Sequence, residues 1–278
     1  MFGKLLKNDL RATARTQCWA IGLSFGIALL TSGCYLLMRN YTLGGLLSGL
    51  LLLLLASCVP LISLIFIVIW FYKTSYGKEG YFTRLLPVDQ KKVFTSKTLT
   101  AYFWYLLATL LSLLMIAAVA GIFIHTLEQE EGMPSAAEIR QLVITMLPRK
   151  TLVTFAVFIP VYVLIATLAA VVLYEFVICA GNGLRGFRNI GKGSPVLVFI
   201  LVYLGAILIS NLSSLIPLTV GLDEELNIVL RDVSVAQAVL YESNALCVPL
   251  LTLAAPVIFL PVGFFLSRKW YADRVDLR

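Results

Sequence analysis

Long apolar stretches constrain this chain more than any other feature. A helix that crosses about 30 Å of hydrocarbon needs about 20 apolar residues. Hydrophobic residues make up 60% of the chain and charged residues 13%, so a soluble fold is excluded. We therefore predict an all-α integral membrane protein with six transmembrane helices, at residues 18–38, 44–72, 99–124, 152–180, 195–220 and 247–266.

The distribution of basic residues predicts the orientation of the chain. Of 22 Lys and Arg residues, 17 lie in segments 1–17, 73–98, 181–194 and 267–278. The alternate segments 39–43, 125–151 and 221–246 carry the other 5. Because cytoplasmic loops carry the excess of positive charge, both termini are expected in the cytoplasm. The net charge of +7 then faces anionic lipid and does not require nucleic acid as a partner.

Residues 1–17 have the pattern of an amphipathic helix lying on the inner leaflet. Its alternative role is to orient the first transmembrane helix through charge alone. The apolar side contains Phe2, Leu5, Leu6 and Leu10, and the basic side contains Lys4, Lys7, Arg11 and Arg15.

The loops are not simple turns. The inner loop 73–98 mixes aromatic and aliphatic residues with charges, and Pro87 interrupts it, so it offers an amphipathic surface for another protein. In the outer segments, Ser135 to Glu138 and Ser234 to Gln237 resemble capping boxes. They predict short extracytoplasmic helices within 125–151 and 221–246.

Two catalytic motifs lack the context that they need. The stretch GFRNIGKGS, residues 186–194, approaches a phosphate-binding loop, but a long apolar segment precedes it where a strand is required. Ser24 lies in a Gly-x-Ser-x-Gly pattern near the inner end of the first helix, far in depth from His125. We interpret Gly22, Ser24 and Gly26 as small residues that pack the helix against its neighbour, and we predict no catalytic residue and no metal site.

One ionisable residue, Glu175, lies inside a predicted transmembrane helix, about 9 Å from the helix end. Such groups are candidates for function. At this depth a structural ion pair with Arg185, Arg188 or an N-terminal Lys is favoured, and proton transport is the alternative.

The inner loop carries a family resemblance. Tyr76 to Val88 contains an acidic-Gly-Tyr pattern and a Leu-Pro-Val pattern, and Ser96-Lys97 follows. Together with the first sixteen residues, these motifs resemble one branch of the ABC-2 type transporter permeases, the membrane subunits of bacterial ABC transporters. Leu85-Leu86 stands where that branch has Thr-Leu.

The resemblance implies a coupling helix in the inner loop, which docks on a nucleotide-binding subunit. The residues expected to transmit its movement are Glu79, Gly80, Tyr81, Leu86 and Pro87. From the residues alone, a basic amphipathic loop resting on lipid is the alternative.

The implied assembly contains a second permease, identical or similar, and two ATPase subunits in a bacterial plasma membrane. ATP and Mg²⁺ would bind the ATPase subunits, and this chain would bind no cofactor and catalyse no reaction. The implied activity is export of a hydrophobic or amphipathic substrate such as a peptide, an antibiotic or a lipid-like molecule. The alternative is a non-transporting immunity or sensor protein whose inner loop binds a regulator.

Overall fold

A computed structural model describes residues 2–38, 42–85, 87–127, 149–184, 193–222, 228–235 and 247–273. Helices account for nearly all of them. The elements are α1 (Phe2–Met38), α2 (Thr42–Ser75), α3 (Lys78–Leu85), α4 (Gln90–Leu127), α5 (Arg149–Gly183), α6 (Ser194–Leu215), β1 (Thr219–Leu222), β2 (Ile228–Arg231), β3 (Cys247–Pro249) and α7 (Leu250–Asp273).

Five of the described helices are long and apolar enough to cross a membrane, which confirms a multi-pass, helical membrane protein. They correspond to the predicted second to sixth transmembrane segments and lie at Gly49–Ser75, Gln90–Gly121, Arg149–Gly183, Ser194–Leu215 and Leu250–Ala272. The predicted first segment, 18–38, forms the C-terminal part of α1 and stays a prediction. Because α1 is one helix of 37 residues, the amphipathic segment 1–17 continues directly into it.

The chain divides into two compact units, and the first contains α1 to α4. Helices α1, α2 and α4 pack on one another, and α3 packs on α2. Along α1, the side chains that face these neighbours recur at helical spacing and are mostly polar: Thr13, Gln17, Ala20, Ser24 and Thr31. Of the predicted packing motif, Ser24 is thus buried. The packing role of Gly22 and Gly26 stays a prediction, since a Cβ at either would meet no described atom within 4 Å. They lie on the other side of α1.

Most of the inner loop 73–98 is helical. Helix α2 extends to Ser75, and α4 begins well before the predicted transmembrane segment. Asp89 explains where α4 begins, because its carboxylate oxygen accepts a hydrogen bond from the Lys91 N–H at 3.0 Å. This contact satisfies one of the amides that the first turn of a helix leaves unpaired.

The second unit contains α5, α6, α7 and a small sheet. The antiparallel strands have the order β2-β1-β3, with Val220 opposite Leu230 on one side and Val248 on the other. The sheet lies at the end of the unit where α6 finishes and α7 starts, since β1 follows α6 and β3 precedes α7.

The sheet was not predicted, and two predicted helix ends are wrong because strands occupy their residues. Residues 219–220 and 247–249 form strands, so the fifth and sixth transmembrane helices are shorter there than expected. Pro217 explains the first boundary, because a proline disfavours the helical conformation in the residue before it. Ile216 accordingly has φ −74° and ψ 128°, which is extended. The β-branched residues that follow favour a strand.

The predicted extracytoplasmic helices fall largely outside the described residues. The box at Ser135 to Glu138 lies wholly outside them, and the box at Ser234 to Gln237 is described only to Val235.

Candidate functional site

Helix α3 is a separate short helix between two membrane-length helices, and one side of it faces outward. The exposed fraction is 56% for Tyr81, 72% for Phe82 and 64% for Leu85. Glu79 and Pro87 are exposed beside them, whereas Gly80 is buried. We call the exposed group Glu79, Tyr81, Phe82, Leu85 and Pro87 the α3 surface.

A tight turn joins α3 to α2. The N–H groups of Tyr76 and Gly77 both donate to the Tyr72 carbonyl oxygen, at 2.9 and 3.0 Å. A Cβ on Gly77 would lie 2.7 Å from the Lys73 carbonyl oxygen, so any other residue would push the turn open. Glycine therefore allows α3 to fold back immediately after α2.

A side-chain contact also holds α3 against α2. The Thr83 hydroxyl lies 3.1 Å from the Thr74 carbonyl oxygen and 3.2 Å from the Glu79 carbonyl oxygen. A free carbonyl at the end of α2 is thus satisfied by the next helix.

The end of α2 is held from its other side by a buried lysine of α4. Lys97 is only 2% exposed, and its Nζ donates to the Thr74 carbonyl oxygen at 2.8 Å, to Thr74 Oγ1 at 2.9 Å and to Ser75 Oγ at 3.1 Å. The ammonium also lies 6.0 Å from the centre of the Trp70 ring. A cation at a helix C-terminus is favourable because the terminal carbonyls carry partial negative charge. We call Trp70, Thr74, Ser75 and Lys97 the Lys97 cluster.

Apolar packing surrounds the Lys97 cluster. Phe71 and Phe94 are almost fully buried and meet edge to face, with ring centres 6.2 Å apart. Tyr76 and Val93, which adjoin Ser75 and Phe94 in the chain, are also buried. Burial of these side chains restricts movement at the end of α2, and hence at the start of α3.

Helix α1 is hydrogen-bonded to α4 through Asp9, next to the Lys97 cluster. Ser96, the residue before Lys97, donates its hydroxyl to Asp9 Oδ2 at 2.7 Å. Burial raises the pKa of Asp9 above its usual range, while the Ser96 hydrogen bond and the charge of Lys97 oppose this shift. The predicted amphipathic segment 1–17 therefore has one face against protein.

Further along α1, two more hydrogen bonds continue the attachment. Trp104 Nε1 donates to Thr13 Oγ1 at 2.9 Å, and Ser63 Oγ donates to Gln17 Oε1 at 2.8 Å. The basic residues of the segment, Lys4, Lys7, Arg11 and Arg15, remain exposed.

Of the five predicted coupling residues, Glu79, Tyr81 and Pro87 lie on the α3 surface. Gly80 faces inward, and Leu86 lies outside the described residues. Phe82 and Leu85 also lie on the α3 surface; their apolar character placed them in the predicted amphipathic loop but not among the predicted coupling residues. The sequence analysis gave no role to Lys97, which it had only noted as part of a motif.

The predicted ion pair is only partly described. Glu175 is 2% exposed within α5, whereas Arg185 and Arg188 lie outside the described residues. The pairing of these residues stays a prediction.

Neither remaining motif has a catalytic arrangement in the part of the chain that the structure describes, and residues 186–192 of GFRNIGKGS lie outside that part. The Ser24 hydroxyl donates to the Ala20 carbonyl oxygen of its own helix at 2.8 Å. The segment before GFRNIGKGS is the helix α5, as predicted, and lacks the strand that a phosphate loop requires. Among the described residues, no three His, Cys, Asp or Glu side chains are placed to hold a metal ion.

Comparison of the chain with protein-family models, curated proteins and solved structures found no match.

Proposed function

We propose that the chain is the permease subunit of an ABC transporter and that the α3 surface is where an ATPase subunit docks. The substrate would be hydrophobic or amphipathic, and ATP would be hydrolysed by the docked subunit. A second permease would complete the membrane part, in a bacterial plasma membrane.

The observation that supports the proposal most directly is the contrast between the outer and inner sides of α3. Its outer side exposes Tyr81, Phe82 and Leu85, which are large and apolar. Aromatic residues of this kind are enriched at protein interfaces, where they bury area at low cost in side-chain entropy.

The inner side of α3 supports the same proposal because it is rigidly attached. Thr83 fixes α3 to the end of α2, and the Lys97 cluster fixes that end of α2 to α4, which is in turn bonded to α1 through Asp9. A force applied to α3 would thus reach three long helices at once. Coupling by rigid-body movement needs this kind of connection.

The test is affinity purification from the native host in mild detergent, with identification of any co-purifying ATPase. The wild type is compared with Glu79→Arg, which reverses a charge on the α3 surface. The matched control is Lys91→Glu, which reverses an exposed charge in the first turn of α4.

We expect the wild type and Lys91→Glu to retain an ATPase and Glu79→Arg to lose it. A wild-type protein that never retains an ATPase would contradict the proposal. Retention of a different, non-ATPase protein through α3 would favour the immunity or sensor alternative.

A further inference from the structure

The second unit contains an apolar cavity of about 740 Å³ between α5, α6 and α7, open on the side where Ala206, Ile209 and Ser210 are exposed. This volume lies within the range of about 300 to 1,000 Å³ that is typical of small-ligand sites. Helices α6 and α7 both pack on α5 and contact each other much less, so a space opens between them. Six small residues leave that space unfilled: Ala166, Ala169, Ala170, Gly205, Ala206 and Ala255.

The cavity is closed at one end. Leu173 and Val202 line it and also pack on a buried cluster formed by Val177, Ala180 and Val198. Just beyond, a Cβ on Gly181 would lie 2.7 Å from the Pro195 backbone, so α5 and α6 are in direct contact there. Helices α5 and α6 therefore meet at this end. At the sheet end, β1 and β3 join α6 to α7, and the Leu250 N–H donates to the Leu218 carbonyl oxygen at 3.1 Å.

The other end, towards the sheet, carries the two hydroxyl groups of the lining. Ser210 lies five residues before the end of α6, which corresponds to about 8 Å of helix, and Thr252 lies in the first turn of α7. The Thr252 hydroxyl donates to the Pro249 carbonyl oxygen at 2.7 Å, so it has only acceptor capacity left. The Ser210 hydroxyl makes no hydrogen bond within the described part of the chain and can donate to a ligand.

These features together favour one class of ligand. All three helices are of membrane-spanning length and composition, so hydrocarbon chains are the solvent around them. The open side of the cavity faces this hydrocarbon, and its almost wholly apolar lining offers water few of the polar partners that it needs. We propose that the cavity binds one acyl chain of a membrane phospholipid, with the ester carbonyl of the lipid accepting a hydrogen bond from Ser210. The site does not depend on the proposed transport function.

Photolabelling tests the site. Purified protein is reconstituted in vesicles of phosphatidylethanolamine and phosphatidylglycerol that include a phospholipid with a diazirine in one acyl chain. After irradiation, the labelled residues are located by mass spectrometry. We expect labelling to concentrate on cavity residues and to exceed that of Leu204 and Leu208, which are exposed on α6 but do not line the cavity.

Two variants with matched chemistry make the test specific. Ala206→Phe fills the cavity, whereas Ala156→Phe adds the same ring at an exposed position on α5 outside it. Labelling of the cavity should fall to the level of Leu204 in Ala206→Phe and stay at the wild-type level in Ala156→Phe. If Ala206→Phe does not fold, Gly205→Val is used instead, since a Cβ there would meet no described atom within 4 Å.

Two results would overturn the proposal. Equal labelling of cavity residues and Leu204 would mean that lipid merely surrounds the unit. Absence of label from the cavity in the wild type would mean that protein, either a second copy or another part of this chain, fills it. Neither result concerns ATPase binding, so the two proposals fail independently.

Discussion

The most informative single residue is Lys97, because a buried ammonium group is retained only where its hydrogen bonds are satisfied. Its Nζ bonds to Thr74 and Ser75 at the end of α2, which is also where α3 begins. The lysine thus determines the position of a surface to which it does not itself belong.

Lys97→Met should lower stability by about 1–3 kcal/mol, since the methionine fits the apolar surroundings but removes the donor to Thr74 Oγ1 and Ser75 Oγ and leaves the Thr74 carbonyl oxygen with Thr83 alone. The measurement is the unfolding transition in detergent, by heat or by added denaturing detergent. Lys91→Met is the control, because Lys91 is exposed. Equal transitions for the two variants would show that the hydrogen bonds of Lys97 contribute nothing net.

At the scale of elements, the contact between α5 and α6 depends on a glycine. A Cβ on Gly181 would lie 2.7 Å from both the Pro195 N and Cα atoms, which are backbone and cannot rotate away. By contrast, Gly205 on α6 has no described atom within 4 Å of such a Cβ.

We therefore expect Gly181→Ala to destabilise the second unit by about 1–3 kcal/mol, because the two helices must separate to admit a methyl group. Gly205→Ala is the matched control and should leave stability unchanged or slightly raised. Thermal unfolding of both variants is the measurement. If Gly181→Ala were as stable as Gly205→Ala, the close contact between α5 and α6 would be refuted.

At the scale of the whole molecule, the excess of positive charge predicts that α3 faces the cytoplasm. Of 22 basic residues, 17 lie in the segments assigned to that side. The proposed ATPase contact requires this orientation, since ATPase subunits are cytoplasmic.

Cysteine accessibility tests the orientation. Glu79→Cys should be protected from a membrane-impermeant maleimide in intact cells and labelled after lysis, whereas Glu130→Cys should be labelled in intact cells. The wild type, with its own five cysteines, measures the background. Labelling of Glu79→Cys in intact cells would contradict the predicted topology.

The sequence by itself determined the membrane class and the approximate location of five apolar helices, because hydrocarbon thickness imposes a length and composition that can be read directly. It also indicated that the loop around Glu79 forms a surface for another protein, since apolar and charged residues are mixed there. The Ser96-Lys97 motif could be recognised in the sequence, but the contacts that these two residues make could not. No spacing rule links Lys97 to Thr74 or Ser96 to Asp9, since these pairs lie 23 and 87 residues apart.

Only the tertiary structure decided which side of α3 is exposed, how α1 is attached and where the cavity lies. Local propensity did not predict the sheet, because short strands are stabilised by pairing with distant partners such as Val248 opposite Val220. The cavity likewise depends on three helices together. In the sequence, Gly205 and Ala206 are ordinary small residues, and only the arrangement of α5, α6 and α7 shows that they line a cavity. Packing depends on which residues of other elements contact a given side chain, and local sequence patterns do not show those contacts.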